Sequence, residues 1–222
     1  MNSFRPKYIT FDCYGTLIRF RMADMAREIY ADRIAADRME RFVKDFAAYR
    51  LDEVLGPWVP YSEVICNAVR RVCKKWNIAY REEEALRFYE AVPTWGPHAD
   101  VPAPLARVAK AFPLVIFSNA SDDQIHHNVA KLGAPFHAVF TAQQAQAYKP
   151  RLHAFEYMLE NLNCGPEDVL HVSSSFRYDL MSAHDIGIMN KVFVGRGHEP
   201  ATPYYTHVEI RDIGGLPGVV GL

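Results

Sequence analysis

Four short clusters in this chain carry side chains suited to chemistry at a charged centre. In the first, Tyr8-Ile9-Thr10-Phe11-Asp12-Cys13-Tyr14-Gly15-Thr16-Leu17, an apolar run ends in a carboxylate and a glycine turn follows. A carboxylate can act as a covalent nucleophile. A second carboxylate two residues on would help to hold Mg²⁺, a hard cation that takes oxygen ligands, but that place is filled by Tyr14. The pattern reads as an attacking aspartate whose substrate needs no metal. The other clusters are Ser118-Asn119, Tyr148-Lys149-Pro150, and Ser173-Ser174-Ser175 followed by Arg177-Tyr178-Asp179. Singly each has an ordinary explanation. Ser-Asn after a strand makes a turn or a helix cap, Lys-Pro opens helices, and an aspartate near a helix start caps it or meets its dipole. Chance does not readily assemble the whole set, in this order, each at a strand end.

The elements that must position these clusters follow from periodicity. Strands are expected at Tyr8 to Phe11, Leu114 to Phe117, Ala138 to Thr141, Val169 to Val172, Lys191 to Val194 and His207 to Ile210, from short β-branched and aromatic runs. Helices are expected at Asp122 to Leu132, stopped by Gly133, at Leu152 to Leu162, and at Tyr178 to Ile186, ending at Gly187. Between Leu17 and Pro93 the pattern is different. Apolar residues at three- and four-residue steps predict almost continuous helix from about Asp24 to Ala91, turning at Gly56-Pro57-Trp58-Val59-Pro60. Strands alternating with helices mean parallel pairing through right-handed crossovers. The expected fold is therefore α/β: a doubly wound parallel-sheet, Rossmann-like core (residues 1–18 and 93–222) with a helical cap (19–92) inserted after the first strand. In such a sheet ligands bind beyond the carboxyl ends of the strands, and an inserted cap can exclude water from that site. Trp58, Trp95 and His171 read as packing residues.

Composition narrows the function. The chain has 222 residues, half of them hydrophobic, enough for a sizeable core. Twenty-five basic residues against 26 acidic leave no basic excess for nucleic acid. No apolar run is long enough to span a membrane, and the polar segment Met1 to Lys7 leads directly into a strand, which predicts no signal peptide. Cys13, Cys66, Cys73 and Cys164 contain no CxxC pair. They are expected to be reduced thiols in a cytoplasmic protein.

The motifs Phe-Asp-Cys-Tyr-Gly-Thr-Leu, Ser-Asn, Tyr-Lys-Pro and Ser-Ser-Ser together resemble the haloacid dehalogenase superfamily, over essentially the whole chain, and within it the L-2-haloacid dehalogenases (type II). Phosphatases of that superfamily carry an aspartate where Tyr14 stands and an acidic pair whose first member is Ser174 here. The resemblance implies hydrolysis of short 2-haloacids to 2-hydroxyacids and halide, without cofactor or metal. Asp12 would attack carbon and become an ester. Lys149 would be its electrostatic partner, and Asp179 would pair with Lys149 and orient or deprotonate the hydrolytic water. Thr16 and Ser118 would hydrogen-bond Asp12 or the substrate carboxylate. Backbone N–H groups at Cys13 and Tyr14 would bind that carboxylate or an oxyanion. Asn119 would donate to the departing halide. Ser174 and Ser175 would contact substrate, Ser175 near an asparagine that dehalogenases carry, in a loop one residue longer than their usual pattern. By position in the cap, Arg50 resembles the family's essential arginine, with Leu51, Val54 and Tyr61 as pocket wall. Homodimerisation, common among similar dehalogenases, is a further expectation. The competing readings are a Mg²⁺-dependent small-molecule phosphatase of the same fold and a non-catalytic binding descendant.

Overall fold

A computed structural model of the chain describes residues 4–222. It divides into two compact units, Met1–Arg19 with Gly96–Leu222, and Phe20–Trp95. The first is a parallel six-stranded sheet of order β3-β2-β1-β4-β5-β6. Its strands are β1 (Tyr8–Phe11), β2 (Leu114–Ser118), β3 (Ala138–Thr141), β4 (Val169–Ser173), β5 (Lys191–Val194) and β6 (Val208–Ile210). β2, β4 and β5 are buried along their full length. This explains why they read as mostly apolar runs without in–out alternation: both faces of the sheet are covered. On one face Val115, Phe117 and Val169 pack against Phe155, Met158 and Leu162. Burial of each large apolar side chain contributes about 1.5–3 kcal/mol. The strand order reverses between β1 and β4, so the switch point where an open α/β sheet binds ligands lies at the carboxyl ends of these two central strands.

The Phe20–Trp95 unit is helical: α1 (Met22–Ile29), α2 (Ala36–Leu55), α3 (Tyr61–Trp76) and α4 (Glu82–Ala91). Aromatic residues lock these helices together, Tyr30 on Phe42 with ring centroids 4.7 Å apart, Phe42 on Trp76 at 5.6 Å and Phe46 on Phe88 at 5.0 Å. Each such pair adds about 0.5–1.5 kcal/mol beyond its buried area. The helical pattern is not continuous from Asp24, because α1 stops at Ile29. There Arg33 folds back to donate to the Ile29 carbonyl while its Nη2 holds Glu84 Oε2 at 2.6 Å. A cation on the last carbonyls favours a helix end.

In the sheet unit the helices are α5 (Pro102–Val108), α6 (Asp122–Val129), α7 (Ala142–Ala145), α8 (Leu152–Leu162), α9 (Met181–Asp185) and α10 (Leu216–Val219). Pro102 opens α5 at a position where the missing N–H costs nothing. α6 ends three residues short of Leu132, since Lys131 and Leu132 bond three residues back and tighten the end into a turn. The stretch expected to be one helix from Tyr178 instead starts as a π-turn, Phe176–Leu180, with the Leu180 N–H on the Ser175 carbonyl and the Met181 N–H on that of Phe176. A π-turn takes up one more residue than an α-turn. Here it carries the chain from Ser173, the last residue of β4, to Asp179, whose Oδ2 accepts from Ser173 Oγ.

Candidate active site

β1 delivers Asp12 to the switch point. The last ladder bond runs from the Asp12 N–H to the Val172 carbonyl of β4 at 3.0 Å. The chain then turns sharply, Leu17 N–H bonding to the Cys13 carbonyl at 2.9 Å, which brings Thr16 Oγ1 back to donate to Asp12 Oδ2 at 2.6 Å. Gly15 makes the turn with φ +97°, a conformation that side-chain-bearing residues resist. Arg196 fixes the far side of the turn. It donates twice to the Thr16 carbonyl while gripping both oxygens of Asp100 at 2.8 and 2.9 Å.

Three strands contribute to the charge centre. Lys149 is buried, and its Nζ donates to Asp12 Oδ1 at 3.0 Å, Asp179 Oδ1 at 2.6 Å and the Phe117 carbonyl at 2.9 Å. Asp179 also receives Ser173 Oγ, and its Oδ1 faces His171 Nε2 at 3.1 Å; His171 Nδ1 in turn meets Thr10 Oγ1 at 2.8 Å. Two carboxylates therefore share one ammonium. Burial works against the Lys149 charge, but the two aspartates outweigh it and hold its pKa above the ordinary value. Burial likewise works against ionised Asp179, and there the Lys149 charge and the His171 bond win, lowering its pKa. Asp12 is the weaker acid of the two: burial raises its pKa, Lys149 only partly offsets this, and the charge on Asp179 adds to the rise. Asp12 keeps a small exposure, 11% of its side chain, where Asp179 has none. The accessible carboxylate is thus Asp12. Asp179, enclosed and with both oxygens engaged, suits the holding of Lys149 rather than removal of a proton from water. Cys13 is buried; that burial and the neighbouring Asp12 push its thiol up, so it stays neutral filler.

The remaining expected residues fall into two sets. Ser118 ends β2 beside this centre, and its hydroxyl is buried with no hydrogen-bond partner among the described residues. Buried polar atoms are nearly always satisfied, so this one is open to a ligand. The others already have protein partners. Asn119 bridges two loops, its Nδ2 on the Lys149 carbonyl at 2.8 Å and its Oδ1 on the Lys149 N–H at 2.7 Å. Tyr14 OH donates to Asn128 Oδ1 at 2.8 Å. Ser174 faces Thr16 and His198, and Ser175 caps the π-turn by accepting from the Tyr178 N–H while donating to Glu199. Sequence reasoning missed Thr10, Ser173, Arg196, His198 and Glu199, and took His171 as packing alone. The apolar run of β4 offered a signal for His171: a polar side chain inside a fully buried strand must be bonded.

The helical unit holds Arg50 on α2 between two rings, its guanidinium carbon 5.0 Å from the centroids of both Phe20 and Phe46. Its Nε is buried without a partner, and it has no carboxylate partner among the described residues. Arg27, Arg33 and Arg71 of the same unit are each paired to glutamate. Tyr61 lies beside Arg50; burial raises its pKa and the guanidinium opposes this. Val54 is buried and Leu51 half-buried on the same helix.

Comparison with known proteins follows the same lines. The chain is 27% identical over 183 residues to haloacetate dehalogenase H-2 of Moraxella sp. (strain B), covering 81% of each. It is 27% identical over 218 residues to (S)-2-haloacid dehalogenase H-109 of Pseudomonas putida, covering 93% of this chain and 94% of the relative. The L-2-haloacid dehalogenase of Xanthobacter autotrophicus, solved with chloropropionic acid covalently bound, shares the fold at a TM-score of 0.79 and 21% identity, over 97% of this chain and 98% of that one. Residues 6–187 match the haloacid dehalogenase-like hydrolase family, and the chain belongs to that family of hydrolases.

Proposed function

We propose that this hydrolase cleaves the carbon–halogen bond of short-chain 2-haloacids without a metal ion. Asp12 attacks C2 from the side opposite the halogen; the C–O bond forms as the carbon–halogen bond breaks, and halide leaves with the bonding pair. The Asp12 ester is then hydrolysed by water at its carbonyl carbon, releasing the 2-hydroxyacid, the Asp12 carboxylate and one proton. The observation that carries this reading is a nucleophile whose charge is balanced by the Lys149 ammonium and whose second oxygen accepts from Thr16. Tyr14 and Ser174 stand where metal-supporting carboxylates would be, and the oxygens of Asp179 are engaged by Lys149, His171 and Ser173. That donor set does not suit Mg²⁺. The names of the curated relatives, for haloacetate and for (S)-2-haloacids, support the substrate class. Ser118, with its open hydroxyl, binds the substrate carboxylate together with the backbone N–H groups after Asp12. Holding C2 in line with Asp12 contributes on the order of 7–11 kcal/mol of effective concentration.

Within this reading Arg50 binds the halide or the carboxylate, with Leu51, Val54 and Tyr61 as wall. A guanidinium gripped by two rings and lacking a carboxylate is prepared for an anion. Arg50→Ala is expected to lower kcat/KM for 2-chloropropionate at least about 100-fold, the scale of a charge-assisted contact to a developing anion, with Tm unchanged within about 2 °C. Retained turnover removes Arg50 from the site. The function itself is tested by halide release from chloro-, bromo- and fluoroacetate and both 2-chloropropionates, with and without EDTA. Chelator-insensitive release supports the proposal. Release of phosphate from a generic phosphomonoester, abolished by EDTA, in place of halide release, replaces it with a phosphatase.

A further inference from the structure

The reaction proposed above gives no role to the imidazole that stands in line with the nucleophile. The loop after β5 brings His198 Nε2 to 2.9 Å from Ser174 Oγ. Ser174 Oγ is 3.0 Å from Thr16 Oγ1, which donates to Asp12 Oδ2. The hydrogens on this line can be counted. A threonine hydroxyl has one hydrogen and two lone pairs. Thr16 gives its hydrogen to Asp12 and accepts the Ser174 N–H at 2.9 Å. The one hydrogen left to lie between Thr16 and Ser174 is therefore that of the Ser174 hydroxyl. Ser174 Oγ, having used it, must accept from His198, whose Nε2 carries hydrogen. The reverse assignment leaves two oxygens 3.0 Å apart with nothing between them.

The loop is built to hold the imidazole there. On one side Arg196 grips Asp100 and the Thr16 carbonyl. On the other, Glu199 accepts Ser175 Oγ at 2.7 Å and the Phe176 N–H at 2.8 Å. Burial lowers the pKa of His198 below its ordinary 6.5, with Arg196 adding to this and Glu199 and Asp12 opposing, so the ring is neutral at pH 7. We infer that His198 is a positioning residue for Asp12: by donating to Ser174 it completes three consecutive hydrogen bonds that run in one direction through Ser174 and Thr16 and end on Asp12 Oδ2. Donors aligned in series polarise one another. With Oδ1 held by Lys149, this chain fixes the plane of the carboxylate for attack.

The kinetic test rests on the dehalogenase reading; the spectroscopic one does not. His198→Leu is expected to lower kcat for halide release about tenfold while KM stays within about twofold, and His198→Gln, whose amide N–H can donate to Ser174, to recover most of the loss. A merely structural role would lower Tm and produce neither the split nor the rescue. Imidazole ¹⁵N–¹H correlation NMR of the intact chain without substrate is expected to place the His198 hydrogen on Nε2, and Ser174→Ala to hasten its exchange with solvent. Unchanged kcat in His198→Leu, a Gln variant no better than Leu, or hydrogen on Nδ1 overturns the inference. If the wild-type protein releases no halide from any haloacid, the dehalogenase reading falls alone, and the NMR assignment still decides the place of His198.

Discussion

Replacing Lys149 with methionine is expected to destabilise the protein by about 3–5 kcal/mol, the usual cost of removing one partner from a buried ion pair, and to abolish turnover. Methionine matches much of the volume, so the loss is electrostatic: Asp12 and Asp179 would face each other in a buried site with no cation between them. Tm should fall by on the order of 10 °C at pH 7, given roughly 2–4 °C per kcal/mol for a chain of this size. The pH dependence identifies the cause. In the wild-type protein the pKa of Asp179 is lowered, so its contribution is present above the ordinary 3.8 and is lost as pH falls through the lowered value. That of Lys149 is raised, so its contribution is complete below the ordinary 10.5 and is lost as pH rises through the raised value. In Lys149→Met both carboxyl groups would have raised pKa values, which reverses the sign. The variant should gain more stability than the wild-type protein as pH falls from 7 toward 5, since in the wild-type protein only Asp12 of this pair has a raised pKa. Thermal melts at these two pH values check it.

Asp12→Asn carries the second large effect. Without a nucleophile, halide release should fall by about 10⁴-fold or more, and no ester should be found by intact mass after incubation with substrate. The same change should raise Tm at pH 7. Burial, and the charge on Asp179, raise the pKa of Asp12, so the folded state favours its neutral form. Stability from such a group is fully present below the ordinary 3.8 and is lost as pH rises from there through the raised value. Asparagine, neutral at every pH, escapes that loss, and its advantage should vanish in acid. A site that keeps a destabilised carboxylate gives up stability for reactivity, a trade common at functional positions.

Much of the fold was legible because the chemistry lies where the sheet's periodicity is clearest. β1, β3 and β5 are short β-branched and aromatic runs with sharp ends, and their bounds follow from the residues alone. The parallel order follows from alternation of strands with helices. The failures have local causes. The break after Ile29 depends on Arg33 reaching Glu84, 51 residues away, which no window of sequence displays. The π-turn at Phe176–Leu180 has no periodicity of its own that a window of sequence displays. At the site, Asp12, Thr16, Ser118 and Asp179 lie at strand ends or in the turns after them, which the α/β rule singles out, and Lys149 follows β3 by way of the short helix α7. His198 and Glu199 come from a loop after β5 with no strand-end motif, and they reach the site by hydrogen bonds to Ser174 and Ser175. Ser174 and Ser175 looked free for substrate because the sequence could not reveal those partners.

The central claim is that a carboxylate oxygen of Asp12 becomes the hydroxyl oxygen of the product. A single turnover in ¹⁸O-water, with enzyme in excess over 2-chloropropionate, tests this most directly. The account predicts ¹⁸O in the peptide that carries Asp12 and an unlabelled 2-hydroxyacid. Label in the hydroxyacid, with none in that peptide, would mean that water attacks carbon directly and that Asp12 never forms a bond to substrate.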